Sequence, residues 1–165
     1  VNAPVTILAF SDFGCSHCRD FALDQERRLR AEYENSGKVR FVFKNFVLDW
    51  QTTADPANAA ECAADQGRFW DYYDTLYTQQ GTSADPFSKS ALKQYAVQLG
   101  LDTARFNACV DNNQHADILA NEGSEGRTRG VNATPTFFIN GKEIEGAVPY
   151  EELKAAVDAA IAAAS

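Results

Sequence analysis

Residues 4 to 48 constrain this chain more than any other stretch. The run "PVTILAF" (4–10) is β-branched and apolar and ends at Ser11 and Asp12, the pattern of a buried strand. "CRDFALDQERRLRAEYENSG" follows, with Phe21, Leu29 and Tyr33 near helical periods and Gly37 as a terminator. "KVRFVFKNFVL" then carries Val39, Phe41 and Phe43 in a second buried strand. Two strands joined by a helix, with no hairpin turn between them, pair in parallel through a right-handed crossover. A βαβ unit is therefore predicted, with Cys15 opening its helix.

From about residue 55 to 129 the pattern is helical, with segments "DPANAAECAADQG", "RFWDYYDTLY", "SKSALKQYAVQLG" and "LDTARFNACV" punctuated by Gly or Asp, and a further helix between His115 and Arg129. "ATPTFFINGKEIEGAV" returns to strand patterning around an Asn-Gly pair, a strong hairpin signal, and Tyr150 to Ala164 closes the chain as an amphipathic helix. The length of 165 residues suits one α/β domain, 1–165, with a helical insertion at 55–129. A net charge of -8 and a pI near 4.7 leave no basic field for nucleic acid. No run approaches the roughly 20 apolar residues of a membrane span. The chain begins at Val1 and contains no Met, so a signal or anchor segment ahead of it is allowed for.

The chemistry concentrates in "SDFGCSHC". A thiol acts as thiolate, and a helix N-terminus favours negative charge, so Cys15 is placed where its pKa falls. Cys18 lies about one turn further on the same face, within reach to bond Cys15 or to expel a client caught on it. Ser16 and His17 fill the gap. His17 either adds positive charge or a hydrogen bond beside the thiolate or is an exposed first-turn residue with no special role. The pair itself reads as a redox couple, against half of a zinc site or an inert bridge. Zinc is short of ligands here, because the remaining cysteines form no second CxxC and His115 stands alone, as a helix-surface residue.

A strand, "SDFGCSHC" at its end, a helical insertion containing "AAECAADQGRFWDYYDTLY" and "LGLDTARFNACV", and "GVNATPTFFING" before a hairpin together resemble the DsbA-like thiol-disulfide oxidoreductases of the thioredoxin fold. The likeness spans nearly the whole chain. It implies a thioredoxin-like fold with an inserted all-helical subdomain, and a cis bond between Thr134 and Pro135 packed against the active disulfide. Backbone pairing of Thr134 with a client peptide is part of the same implication. The chain departs from the family at one place: a carboxylate often sits six residues before the first cysteine, and here that residue is Ala9. Proton movement at Cys18 then falls to water or to another group, Asp12 or Lys44, although Asp12 also reads as a plain turn residue and Lys44 as a solvated one.

Cys62 and Cys109 fall in alanine-rich helical contexts without adjacent basic residues, which favours a structural bridge over buried thiols or a second redox relay. Such a bridge places the protein outside a reducing cytosol. Phe69, Tyr72, Tyr73 and Leu76 recur at helical spacing and are expected to pack the insertion onto the sheet. Phe13, beside the cysteines, is a candidate client contact. The expected protein is a disulfide oxidase for reduced exported proteins. It would be a monomer without cofactor or metal, sited in the periplasm or cell envelope and reoxidised by a quinone-linked membrane partner that the resemblance implies. A disulfide isomerase or reductase kept reduced by a partner is the alternative within enzymes, and a non-catalytic metal-binding or chaperone-like module is the alternative outside them.

Overall fold

The computed structural model describes residues 3–33, 36–146 and 148–164. Strands β1 (Val5–Ser11) and β2 (Val39–Asn45) pair in parallel from Val5↔Val39 to Ser11↔Asn45. The connection between them is helix α1 (Ser16–Phe21), a π turn (Ala22–Glu26) and helix α2 (Arg27–Tyr33). Strands β3 (Thr136–Ile139) and β4 (Lys142–Glu145) form the hairpin, turning on Asn140 and Gly141 at φ 46° and 85°. Two successive left-handed residues give the turn the twist that the strands require, which is why Asn-Gly suits it. The Asn140 side chain also accepts from Thr6 N (2.8 Å) and donates to Pro4 O (3.1 Å), pinning the hairpin to the start of β1. β3 runs antiparallel to β1, so the sheet order is β2-β1-β3-β4.

Helices α3 (Ala54–Ala64), α4 (Phe69–Gln79), α5 (Lys89–Gln98), α6 (Thr103–Asp111) and α7 (Ala116–Thr128) occupy the sequence between β2 and β3, and α8 (Tyr150–Ala163) ends the chain. The two-residue period of β1 divides its side chains between two layers. Val5, Ile7 and Ala9 pack with Leu29 of α2 and with Leu153 and Val157 of α8. Phe10 points the other way, into a cluster with Phe46, Val131 and Phe138. Helix α7 approaches that cluster so closely that a Cβ at Gly126 would stand 2.7 Å from the Phe46 ring and 3.1 Å from Phe10.

The helical layer has its own core of Tyr72, Leu76, Leu92, Phe106 and neighbours, and this core runs on into Phe13 and Cys18. The aromatic run divides its work: Phe69 and Tyr73 meet Phe43 of β2 at 5.5 and 5.2 Å between ring centroids, whereas Tyr72 turns towards Phe106 at 5.2 Å. Cys62 of α3 and Cys109 of α6 are joined by a disulfide, with Cα atoms 5.9 Å apart and a sequence separation of 47. A loop of that length is stabilised by on the order of 4 kcal/mol in the chain-entropy picture.

The close approach at Gly126 yields a test with an internal control. Gly126→Ala is expected to destabilise the fold by about 1–3 kcal/mol, because the added methyl must displace a packed ring. Gly123→Ala, on the same helix, meets only the flexible Arg127 guanidinium at 3.4 Å and should be neutral or stabilising by up to about 1 kcal/mol. Urea unfolding midpoints of the two variants check the contrast.

Candidate active site

Cys15 is the N-cap of α1, in extended conformation (φ -78°, ψ 120°), and its sulfur accepts a hydrogen bond from the backbone N–H of Cys18 at 3.3 Å. Its Sγ also lies 3.6 Å from the carbonyl oxygen of Thr134, to which Cys15 donates when protonated. Thr134 precedes Pro135 through a cis peptide bond, and Pro135 is buried at the start of β3. The crossover helix and the segment leading into the first strand of the hairpin thus converge on one half-buried sulfur. Both cysteines are free thiols in this structure.

The two thiols face opposite fates. The hydrogen bond from the Cys18 thiol, aided by Thr134 and by backbone N–H groups, pushes Cys15 down to about 6 against the opposing effect of burial. Burial pushes the Cys18 thiol far up, and its hydrogen bond to Cys15 adds to the rise. The outer sulfur is therefore the thiolate and the inner one keeps its proton. Because two such groups titrate as a pair, the proton they share sits on Cys18.

The loop before Cys15 is held from three sides. Asp12 is buried; its Oδ1 accepts from Gly14 N (2.7 Å), and its Oδ2 accepts from Leu48 N (2.8 Å) and Thr53 Oγ1 (2.7 Å). From α4, Tyr77 donates to Asp12 O at 3.2 Å, and Gln80 Nε2 donates to Phe13 O and, at 3.2 Å, to Cys15 O. Gly14 leaves room for Thr53, whose methyl would stand 2.5 Å from an added Cβ. With the loop held on these sides, the cap geometry of Cys15 is set by neighbours distant in sequence.

Of the residues singled out from sequence, Cys15, Cys18, Thr134 and Pro135 are brought together. Ser16 and His17 are exposed on the first turn, and among the described residues their side chains make no hydrogen bond or ion pair. Phe13 is corrected: only 1% exposed, it packs between Tyr77 (5.0 Å), Phe43 (5.4 Å) and Tyr73 (5.8 Å), so its ring is core and does not reach a client. Both carboxylate oxygens of Asp12 are committed to the loop, and the Lys44 ammonium is paired with Glu125.

Glu26 is the functional-looking group that sequence reading missed, since "LDQERRLR" reads as a solvated charged face. It is fully buried, accepts from Tyr73 OH at 2.8 Å, lies 3.3 Å from Arg30, and shares with Ala9 the lining of a cavity of about 10 Å³. Burial pushes its carboxyl up to about 7, opposed by Arg30 and by the Tyr73 hydrogen bond. From the crossover helix its carboxylate thus reaches a cavity that Ala9 also lines.

A four-stranded sheet of this order, a CxxC at the head of the crossover helix and a cis-proline facing it define the thioredoxin class of fold. The chain belongs to the thioredoxin family: the family model described as Thioredoxin matches residues 1–159. Among curated proteins it is 35% identical to "Na(+)/H(+) antiporter NhaA 3" of Salinispora tropica, over 99% of this chain and 24% of that protein. It is 24% identical to "Disulfide bond formation protein D" of Bacillus subtilis, over 95% of this chain and 72% of that one. The chain thus spans about a quarter of the length of the antiporter-named relatives and most of the length of the other. The solved structure of oxidised BdbD from Bacillus subtilis superposes with a TM-score of 0.89 at 22% identity, covering 98% of this chain and 89% of that chain. That of Wolbachia pipientis α-DsbA1 gives 0.84 at 20% identity, covering 99% and 88%.

Two titrations test this site. Alkylation of the reduced protein should occur at Cys15 alone, with a rate that rises through a midpoint of about pH 6 while Cys18 stays unmodified; mass mapping of the labelled peptides reads both. Because the folded pKa of Cys15 lies below its unfolded value, the stabilisation of the reduced form by this thiolate is present above the unfolded pKa and is lost as pH falls through about 6. Glu26 has the opposite sign: its folded pKa is raised, so stability is highest below about 4.5 and declines, by on the order of 3 kcal/mol, as pH rises to about 7. Denaturation midpoints of wild type and Glu26→Gln across that window should differ in slope, the variant being flatter.

Proposed function

We propose that this chain is a thiol-disulfide oxidoreductase that works as a disulfide oxidase on reduced exported proteins. The observation that carries the reading is the unequal placement of the cysteine pair: Cys15 is half-exposed as the N-cap of α1, its sulfur accepting from Cys18 N at 3.3 Å, while Cys18 is buried beneath it, an arrangement that favours thiolate at Cys15 and thiol at Cys18. A group that stabilises the thiolate stabilises the dithiol form, so the Cys15–Cys18 disulfide is inclined to accept electrons. In the oxidised form a client thiolate attacks Cys15 Sγ, the Cys15–Cys18 bond breaks, and the departing Cys18 sulfur takes up a proton in its buried site. A second client thiolate then attacks the client sulfur of the mixed disulfide, and Cys15 leaves as a thiolate. The client gains one disulfide and the protein gains two electrons.

Client binding fits the same face. Thr134 presents backbone beside Cys15, suited to adding a strand of client peptide with little demand on its sequence. Leu48 and Trp50, 54% and 51% exposed, stand on the loop that Leu48 N and Thr53 anchor to Asp12, and offer apolar contact to unfolded chains. We assign Thr134 and Pro135 to client binding, with His17 and Ser16 as first-turn residues that modulate the pair. The Cys62–Cys109 bridge supports an oxidising, extracytoplasmic setting, and a membrane-bound reoxidising partner follows from the need to restore the disulfide. The antiporter-named relatives are matched over about a quarter of their length, and among the described residues no helix is long and apolar enough to cross a membrane.

The deciding experiment combines the oxidised protein with a reduced, unfolded client and follows formation of client disulfides, alongside equilibration with glutathione buffers. Wild type should oxidise the client stoichiometrically, and Cys15→Ser should do nothing. Rapid reshuffling of scrambled disulfides by the reduced protein, without net oxidation, would reassign it as an isomerase.

A further inference from the structure

Away from the active site, Cys62, Cys109 and His115 are gathered so that their ligand atoms all lie within 4.8 Å of one another. His115, expected from sequence as an isolated surface residue, is instead the N-cap of α7 and faces the bridge between α3 and α6. Its Nε2 is 2.7 Å from Asp65 Oδ2, and that same oxygen is 4.0 Å from Cys109 Sγ. Asn58, buried one turn before Cys62, accepts from His115 N (2.9 Å) and donates to Cys62 Sγ (3.8 Å), so one side chain orients two of the ligands. A cavity of about 340 Å³ opens onto Cys62, Asp65 and Cys109.

We propose that, when the Cys62–Cys109 disulfide is reduced, these side chains bind one zinc-class divalent cation. The ligands are the two thiolates, a ring nitrogen of His115 and a carboxylate oxygen of Asp65. An external dithiol supplies the two electrons: the Cys62–Cys109 bond breaks, the dithiol becomes a disulfide, and each cysteine sulfur gains a proton. The cation then displaces both thiol protons to solvent. Two thiolates on a tetrahedral ion stand about 3.8 Å apart, a separation that needs only an opening of the existing bond. Thiolate and imidazole donors select a borderline-soft ion over calcium or magnesium, and the Asn58 hydrogen bonds act as the outer support such sites use. The ion would tie α3, α6 and the start of α7, the helices that the disulfide already joins or borders. The helical layer would then have one clip for oxidising conditions and another for reducing ones.

The test uses the full chain carrying Cys15→Ser and Cys18→Ser, so that the redox pair cannot compete for metal. The protein is reduced anaerobically with a water-soluble phosphine, freed of reductant and titrated with Co²⁺, then with Zn²⁺, while visible absorption and far-UV circular dichroism are followed. One equivalent of Co²⁺ should give the intense bands of a tetrahedral thiolate complex, which Zn²⁺ abolishes, and the oxidised protein should give none. His115→Ala and Asp65→Ala should each weaken binding about tenfold or more. A chain that unfolds on reduction and refolds with one equivalent of Zn²⁺ equally supports the site. Equal Co²⁺ spectra for oxidised and reduced protein, unchanged affinity in His115→Ala, or a reduced chain that Zn²⁺ does not refold would overturn it.

Discussion

The hydrogen bond from the Cys18 N–H to the Cys15 sulfur is the contact on which the rest of the site depends. It exists only while Cys15 is held in extended conformation at the head of a helix, since a residue one turn in would have its N–H already spent on an intrahelical bond. A surface loop of four residues cannot hold that pose alone. Asp12 therefore ties the loop to the segment after β2, and Tyr77 and Gln80 tie its carbonyls to α4. Removing water from beneath the loop makes these bonds obligatory, because an unpaired buried carbonyl or carboxylate is costly.

That dependence explains why the helical layer and the sheet share a core. Phe13 is driven under the loop into the aromatic cluster of Phe43, Tyr73 and Tyr77, and Cys18 is buried against the same cluster. The burial that anchors the loop is also the burial that holds the Cys18 proton in place, so packing and the inequality of the two thiols have one cause. The bridge between α3 and α6 ties together the layer that supplies Tyr77 and Gln80, which links a distant covalent clip to the geometry of the cysteine pair.

Much of this was legible in the sequence because the signals are local. A β-branched run, a period near 3.6 and an Asn-Gly turn each report on a few consecutive residues, and β1, the crossover helices, β2 and the hairpin appear where those signals place them. The cysteine pair was readable for the same reason, as spacing within one turn. The misplaced residues are those whose surroundings come from elsewhere in the chain. Phe13 looked like an exposed strand-end aromatic because nothing in "SDFGC" announces a roof of α4 tyrosines. Glu26 looked solvated because its burial depends on Tyr73 and on the space beside Ala9. His115 looked solitary because Asp65 lies 50 residues away.

By itself, the sequence determined the class of fold and singled out the cysteine pair at the head of the crossover helix, since both rest on short-range periodicity and on the intrinsic chemistry of a thiol at a helix start. Tertiary structure decided how unequal the two sulfurs are, which aromatic rings are walls and which carboxylates are buried. Those properties are set by desolvation and by hydrogen bonds between residues tens of positions apart, and no local pattern encodes the distance between such residues until the chain has closed upon itself.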